Sequence, residues 1–304
     1  MLTEKIHPLE SDMLELFAQK GREGQSDRPQ PYNANGLKVR RIMQIIRDLA
    51  RNSVEEIRIL DVACGEGVFA IETALRGVQL HAIDARTERM DNGKQFAERL
   101  GLTNLEFEKN DVRQVSLKSH GQYDIIFFLG ILYHLDVPDS FHILENLYTM
   151  CRQFIIIDSH ISLSPEDEVH YKDEIYKGVW HREHRNSDSA SVRKNKQLSS
   201  IDNTFSFWFT KDSLVTLLGD VGFTSVFECQ APLEPSKPGD RITLVACKGS
   251  PVKISTYPWV NKKTEDEIQA ALKTGRPSTG GVKQQVKSII NKALRPLGFR
   301  IIGL

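Results

Sequence analysis

The stretch Ile57-Arg-Ile-Leu-Asp-Val-Ala-Cys-Gly-Glu-Gly-Val-Phe-Ala70 decides the fold of this 304-residue chain. A short apolar run ends at Asp61, a turn carrying Gly65 and Gly67 follows, and a helical pattern starts directly after the turn. This order predicts a buried strand, a glycine-rich turn and a helix N-terminus. Glycine lets the backbone approach a ligand closely, and the first N–H groups of a helix are free to donate. The segment therefore predicts a nucleotide-like ligand.

Two cofactor classes fit these glycines. Gly65-x-Gly67-x-x-Ala70 matches the relaxed dinucleotide fingerprint, and Asp84, which closes a second predicted strand, suits a ribose-binding acid. Asp61, just before the turn, instead favours a ligand that carries an amine, because a carboxylate there would repel a pyrophosphate. The glycines alone do not decide between the two classes.

Two later motifs favour the second class. A third apolar run ends in Asn110-Asp111-Val112, which can donate and accept hydrogen bonds around an adenine edge. A fourth run, 123–130, leads into Leu132-Tyr133-His134. In this order and at this spacing, the motifs resemble a class I S-adenosylmethionine-dependent methyltransferase over residues 57–160, with a weaker continuation to about residue 248.

The resemblance implies an α/β fold with a doubly wound, mostly parallel seven-stranded sheet whose last strand is antiparallel. It implies S-adenosyl-L-methionine as the cofactor, with the ribose held by Asp84, the adenine amine by Asp111 and the reacting methyl group near Leu129 and Gly130. The implied cofactor contacts are Asp61, Ala63, Gly65, Gly67, Asp84, Ala85, Asp111, Val112, Leu129 and Gly130.

The alternation of strand and helix patterns after residue 57 independently predicts a parallel sheet. We divide the chain into an N-terminal helical cap at 1–56, a cofactor-binding core at 57–158, an insert at 159–208, the end of the core sheet at 209–248 and a basic extension at 249–304. The insert does not follow the rhythm of the core. It leaves the carboxyl edge of the sheet, where ligands bind in open α/β folds, and we interpret it as a substrate lid.

His134 is the predicted general base, because it follows the fourth strand and a neutral imidazole can take a proton from a hydroxyl group. A structural histidine with its nitrogens satisfied by backbone is the alternative. His160, at the end of the fifth strand, is the second catalytic candidate. The predicted substrate-binding residues are Tyr133, Trp180, His181, Arg182, His184 and Arg185.

The lid is basic, and its arginines would suit a phosphate- or carboxylate-bearing substrate, although a solvated loop explains them equally well. They would also allow a carboxylated form of the cofactor. The His181-x-Glu183-His184 cluster lacks the spacing of a helical zinc motif, and we predict no metal.

The composition excludes a strong electrostatic field from net charge, because the chain has 40 Lys and Arg residues and 40 Asp and Glu residues. The extension at 249–304 carries a local net charge of +7, which leaves −7 on the remainder. It is predicted to dock on its own domain or to form a homodimer contact. The four cysteines lack a C-x-x-C pair, and we find neither a signal-peptide pattern nor an apolar run long enough to span a bilayer. We therefore expect a cytoplasmic protein with reduced thiols.

These features favour an enzyme that methylates a hydroxyl or amine of a small-molecule, anionic acceptor. The resembling branch also contains tRNA wobble-uridine methyl- and carboxymethyltransferases, so an RNA substrate is the alternative. The net acidic core argues against it, because RNA-binding surfaces are basic. A cofactor-binding module without turnover is the third hypothesis. The sequence does not name the acceptor.

Overall fold

The computed structural model describes residues 34–196, 198–232, 234 and 237–250. Residues 1–33 of the predicted cap and residues 251–304 of the basic extension lie outside the described residues. The strands are β1 Arg58–Val62, β2 Gln79–Asp84, β3 Leu105–Lys109, β4 Tyr123–Leu129, β5 Cys151–His160, β6 Asp167–Tyr171, β7 Glu174–Arg182, β8 Phe205–Phe209, β9 Ser225–Glu228 and β10 Arg241–Cys247. The helices are α1 Ala34–Leu49, α2 Val68–Ala74, α3 Thr87–Arg99, α4 Leu117–His120, α5 Asp139–Met150, α6 Ala190–Asn195 and α7 Lys211–Val221.

Seven strands form the central sheet in the order β3-β2-β1-β4-β5-β10-β9. The pairs among β1 to β5 are parallel, and β10 is antiparallel to both β5 and β9. The predicted seven-stranded, mostly parallel sheet is therefore confirmed. Because the chain first builds outward from β1 to β3 and then returns to β4, a crevice opens between β1 and β4 at their carboxyl ends.

The central strands are buried on both faces, as the uninterrupted apolar runs predict. Phe127 and Phe128 are both fully buried, yet they belong to opposite hydrophobic layers because successive residues of a strand point to opposite faces. One layer contains Leu144 of α5 and Leu214 of α7, and the other contains Ile42 of α1.

Helix α1 packs on the second layer through Ile42, Ile45 and Ile46, which lie on one face of an amphipathic helix. Lys38 and Arg41 lie three residues apart near the same helical face, and Arg41 is only 1% exposed. Helix α1 thus brings cationic side chains into the interior. Within the described part of the chain, every helix is too short or too polar to cross a bilayer.

The insert contains its own antiparallel sheet of β6, β7 and β8. Buried residues of this small sheet, Tyr176, Phe207 and Phe209, join the first hydrophobic layer, so the sheet packs on the core. The Phe207 N–H donates to Leu135 O at 2.9 Å, which fixes β8 beside the segment that follows β4. The insert is therefore held at the edge where the parallel strands end.

Candidate active site

A cavity of about 690 Å³ lies at the carboxyl ends of the central strands. This volume is within the range of small-molecule sites, roughly 300–1,000 Å³. Nine of the ten predicted cofactor contacts line it: Asp61, Ala63, Gly65, Asp84, Ala85, Asp111, Val112, Leu129 and Gly130. Gly67, the tenth, lies in the same turn, where a Cβ would come within 2.7 Å of the Phe107 ring.

The turn after β1 curls around the cavity because three of its residues have left-handed backbone conformations. Their φ angles are 60° at Ala63, 59° at Gly65 and 73° at Gly67, which caps α2. Alanine pays a conformational cost there that glycine avoids. Such a curled backbone turns N–H groups toward one side, as phosphate- and carboxylate-contacting turns do.

Asp84 anchors this turn. Its Oδ2 accepts a hydrogen bond from the Gly65 N–H at 2.8 Å, and its Oδ1 accepts one from the Arg86 N–H at 2.7 Å. Both oxygens retain a free lone pair, because a carboxylate oxygen can accept two bonds. The side chain is therefore held rigidly while it still has capacity to accept from a ligand.

Asp61 is a buried carboxyl group in the cavity, and one of its oxygens, Oδ2, has no hydrogen-bond partner among the described residues. Burial, reinforced by the neighbouring Asp84 carboxylate, raises the pKa of Asp61 well above its ordinary value. An unpaired buried carboxylate beside a second one suits a ligand that carries positive charge, as a sulfonium and an amino group do.

Replacing Asp61 with asparagine is expected to stabilise the ligand-free protein by about 1–3 kcal/mol at pH 8, because it removes a buried unpaired charge. Since the pKa of the folded state is raised, the wild-type protein loses stability as pH rises above the ordinary carboxyl range. The variant should lack that loss and should bind S-adenosylmethionine more weakly. Denaturant unfolding at pH 5 and pH 8, with and without cofactor, measures both effects.

Asp124 provides the matched control, since it is buried but accepts hydrogen bonds from the Arg58 N–H at 3.0 Å and from Gln153 Nε2 at 3.4 Å. Asp124→Asn should lower stability instead of raising it. If Asp61→Asn is destabilising at pH 8 to the same extent, the carboxylate is satisfied in a way that its geometry does not reveal.

The end of β3 contributes a second set of polar groups. The Asp111 Oδ1 accepts from Arg113 Nε at 3.0 Å and from the Arg113 N–H at 2.9 Å, while its Oδ2 accepts from Arg113 Nη2 at 2.6 Å. These bonds hold the pKa of Asp111 below its usual value despite partial burial. The predicted contact to the adenine amine would therefore share oxygens with Arg113.

His134 lies on the cavity wall with its side chain 17% exposed. Its Nδ1 is 2.9 Å from Glu183 Oε1, and that carboxylate also accepts from the Ser200 N–H at 2.9 Å and the Ser206 hydroxyl at 2.8 Å. Although burial opposes ionisation, these bonds keep the pKa of Glu183 below its usual value. An ionised carboxylate only accepts, so Nδ1 carries the proton and Nε2 of neutral His134 keeps its lone pair.

The second catalytic candidate, His160, does not line the cavity. Its Nδ1 is 3.1 Å from Asp240 Oδ2, and its ring stacks on Trp208 and meets the Tyr133 ring edge-on. Burial, followed by the charge of Arg241, lowers the pKa of His160. Tyr133, whose ring contacts His160, does line the cavity, and its role as a substrate contact stays a prediction.

The structure brings none of the other predicted substrate contacts to this cavity. Trp180 packs edge-on against Phe207, and Arg182 lies over the Phe205 ring. His181 stacks on Trp208 beside a shallower depression, whereas His184 is buried with its Nε2 2.8 Å from Ser200 O. The Arg185 N–H is tied to Asp188 in a local turn. No metal-binding group of three or more ligands forms in the residues that the structure describes.

Sequence reasoning missed the part of the insert that does reach the cavity. Residues 198–203 form one wall. The Arg86 guanidinium donates to Ser199 O at 2.7 Å and to Ser200 O at 3.2 Å, and Arg113 pairs with Asp202 at 2.8 Å. These contacts join side chains of the core to a Ser-rich stretch whose composition predicts only a loop.

Sequence reasoning also missed the basic wall of the cavity, which is formed by Lys38, Arg41 and Arg241. The first two were detectable in principle, because their spacing places them near the buried face of an amphipathic helix. Arg241 begins a predicted strand and carries no such signal. Glu183 stands out in the sequence only as part of the metal-like cluster with His181 and His184.

Known proteins share this domain. Residues 59–153 match a family described as a methyltransferase domain. Over 95 residues the chain is 30% identical to the ubiquinone biosynthesis O-methyltransferase of Acinetobacter baylyi, which corresponds to 31% of this chain and 39% of that relative. Over 107 residues it is 32% identical to the tRNA 5-carboxymethoxyuridine methyltransferase of Escherichia coli K12, covering 35% and 40% of the two chains. The chain thus spans about two fifths of the length of these relatives.

A similar fold occurs in the crystal structure of the N-terminal domain of EvdMO1 determined in the presence of SAH and D-fucose. The TM-score is 0.57 at 16% identity, and the match covers 79% of this chain and 97% of that one. The family match therefore identifies residues 59–153 as a methyltransferase domain, and the sheet order and the solved structure show that its fold is the shared, mostly parallel α/β fold. A match to a methyltransferase domain favours the second of the two cofactor classes over a nicotinamide dinucleotide.

Proposed function

We propose that this protein transfers a methyl group from S-adenosylmethionine to a hydroxyl, or an amine, of a small-molecule acceptor. The observation that carries the proposal is the His134–Glu183 pair, with the Nδ1 of the imidazole bound to a buried carboxylate and the ring on the cavity wall. A hydroxyl group is a poor nucleophile until its proton is removed, so a base at this point has a defined task.

The cofactor, when bound, supplies a methyl group that its sulfonium already activates. The turn after β1 and Asp84 would hold it, and Asp61 would face its positive charge. His134 Nε2 would accept the proton of the acceptor hydroxyl. Glu183 would keep the imidazole in the required tautomer and stabilise the imidazolium that forms, as buried carboxylates do beside catalytic histidines.

We further propose that the insert at 159–208 acts as the substrate lid. It supplies Glu183 to the base and residues 198–203 to the cavity wall, so both the base and the cavity are incomplete without it. The boundaries of the cap, the core and the extension stay predictions, as does a homodimer.

The single experiment that tests the proposed function is a labelling assay with the purified full chain and cofactor carrying a labelled methyl group. Small-molecule extract and tRNA from the same host are offered in parallel. We expect label in the small-molecule fraction. Label in tRNA would favour the second candidate, which the Escherichia coli relative's name supports. Bound cofactor without label in any fraction would favour a module without turnover.

A further inference from the structure

We propose that Lys38, Arg41 and Arg241 form a binding site for an anionic group, a carboxylate or a phosphate, held beside the point of methyl transfer. The inference rests on the proposed function and names the acceptor class for the same cavity. It locates the anion subsite on α1 and β10, away from the lid arginines that the sequence suggested.

The three cations come from α1 and β10, two distant parts of the chain, and line one wall of the cavity. Their side chains are 16%, 1% and 14% exposed for Lys38, Arg41 and Arg241, respectively. Cationic side chains are seldom buried this deeply unless an anion accompanies them. Anions close to this wall are therefore expected to balance the three charges.

The protein's own anions balance only part of this charge. Lys38 Nζ lies 3.5 Å from Asp158 Oδ1, and Arg241 Nε donates to the same oxygen at 2.6 Å. Arg41 Nη1 lies 3.5 Å from Glu234 Oε2 and donates to the Thr243 hydroxyl at 3.2 Å.

Lys237, whose Nζ is 3.5 Å from the Thr243 hydroxyl, adds a fourth cation, so four positive groups face two carboxylates. Burial lowers the pKa of both Lys38 and Lys237, and neighbouring arginines lower it further. The buried Arg41 Nε has no partner in the described part of the chain. The surplus of charge and the unpaired donor both suit an incoming anion.

The position of Arg241 places this anion beside the reacting groups. A Cβ added to Gly130 would lie 3.6 Å from Arg241 Nη2 and 3.9 Å from the Tyr133 hydroxyl, so the guanidinium lies directly against this glycine. Gly130 follows Leu129, where the methyl group is predicted, and the Arg241 guanidinium lies 5.4 Å from the Tyr133 ring centroid. An acceptor held here would carry its anionic group close to the hydroxyl that it presents to His134.

Because Lys38, Arg41 and Arg241 are largely buried, only a compact anionic group can reach them. Arg41 lies too deep for the phosphodiester backbone of a folded RNA to reach it, whereas a terminal carboxylate or phosphate of a small molecule enters a cavity of this size. A carboxylate carried by the cofactor itself would satisfy the same cations. The two carriers share one recognition chemistry and are separated by experiment.

The test is calorimetric titration of the full chain, saturated with S-adenosylhomocysteine, with malonate and with inorganic phosphate at constant ionic strength. We expect saturable binding of one or both anions, and a Kd raised about tenfold in Lys38→Gln and more in Arg241→Gln, because each loses a charge-assisted contact. Arg241→Lys keeps the positive charge, so its affinity for the anion should fall less than that of Arg241→Gln. Lys211→Gln, at an exposed ion pair with Glu228, should bind as the wild type does.

Anions that fail to bind the wild type saturably, or that bind both glutamine variants with wild-type affinity, would overturn the proposal. Arg241→Gln also removes a partner of the buried Asp158 and could prevent folding. If Arg241→Gln does not fold, anion binding by Lys38→Gln, a change at a partly exposed residue, decides the test. A carboxylated cofactor that binds more tightly than the normal one, only when Lys38 and Arg241 are present, would place the anion on the cofactor. The labelling assay tests the proposed function separately, because anion binding to the S-adenosylhomocysteine complex does not require turnover.

Discussion

Replacing His134 with alanine is expected to lower kcat by about 10²- to 10⁴-fold, the usual contribution of a positioned general base. Its Nδ1 is engaged by Glu183 at 2.9 Å, and its ring lies on the cavity wall, so Nε2 is the atom that can take the acceptor proton. The Kd for S-adenosylmethionine should change little, because His134 is not among the predicted cofactor contacts. Initial rates with the identified acceptor and direct titration of the cofactor measure the two quantities separately.

The partner residue gives a graded test of the same idea. Glu183→Gln keeps an oxygen that can accept from Nδ1 but loses the charge that stabilises an imidazolium, so we expect a smaller loss of kcat, about 10- to 100-fold. The rate should also depend differently on pH in this variant, which a purely structural role would not produce. His142→Gln, at an exposed position on α5, should leave the rate unchanged. If His134→Ala turns over normally, the base lies elsewhere in the cavity.

The sheet was predictable because its signals are local. The apolar run before Asp61 and the turn at Gly65 and Gly67 define β1 and α2, and further short apolar runs define the later central strands. The fourth apolar run, at 123–130, coincides with β4 to within one residue. Buried parallel strands leave little freedom in how such runs pair.

The cofactor side of the site was predictable for the same reason. Carboxyl ends of neighbouring parallel strands meet at one edge, so residues that follow β1, β2, β3 and β4 had to converge. Asp61, Asp84 and Gly130 illustrate this, since each ends or follows a strand and each lines the cavity. Their roles toward the cofactor stay predictions drawn from the resemblance.

The acceptor side was not predictable, because it depends on contacts between segments that are far apart in the sequence. Glu183 meets His134 only after β7 has paired with β8 and β8 has been fixed at Leu135. Arg241 reaches Gly130 only because β10 pairs with β5 in an antiparallel register that sets Arg241 opposite His160. No local pattern encodes such a register, and the arginines near Glu183, which do stand out in the sequence, lie outside the cavity.

Replacing Asp84 with alanine is expected to raise the Kd for S-adenosylmethionine about 100-fold or more, because two charge-assisted hydrogen bonds are lost at about 1.5–3 kcal/mol each. The resemblance assigns this carboxylate to the ribose hydroxyls. The N–H groups of Gly65 and Arg86 fix its two oxygens at 2.8 and 2.7 Å, so the acceptor atoms are oriented before the ligand arrives. Titration of the cofactor into the wild type and the variant measures the change.

Because Asp84 accepts hydrogen bonds from the backbone N–H groups of Gly65 and Arg86, it also supports the turn. Asp84→Ala should therefore lower the free energy of unfolding by about 1–3 kcal/mol. Unfolding without ligand separates this effect from the loss of affinity, because a variant that remains folded at the titration temperature reports binding alone. Asp91→Asn removes an exposed charge from α3 and should change neither quantity. A folded Asp84→Ala protein with wild-type affinity would show that the cofactor is held by other groups. The convergence of β1 and β2 on one turn would then serve the fold and not the ligand.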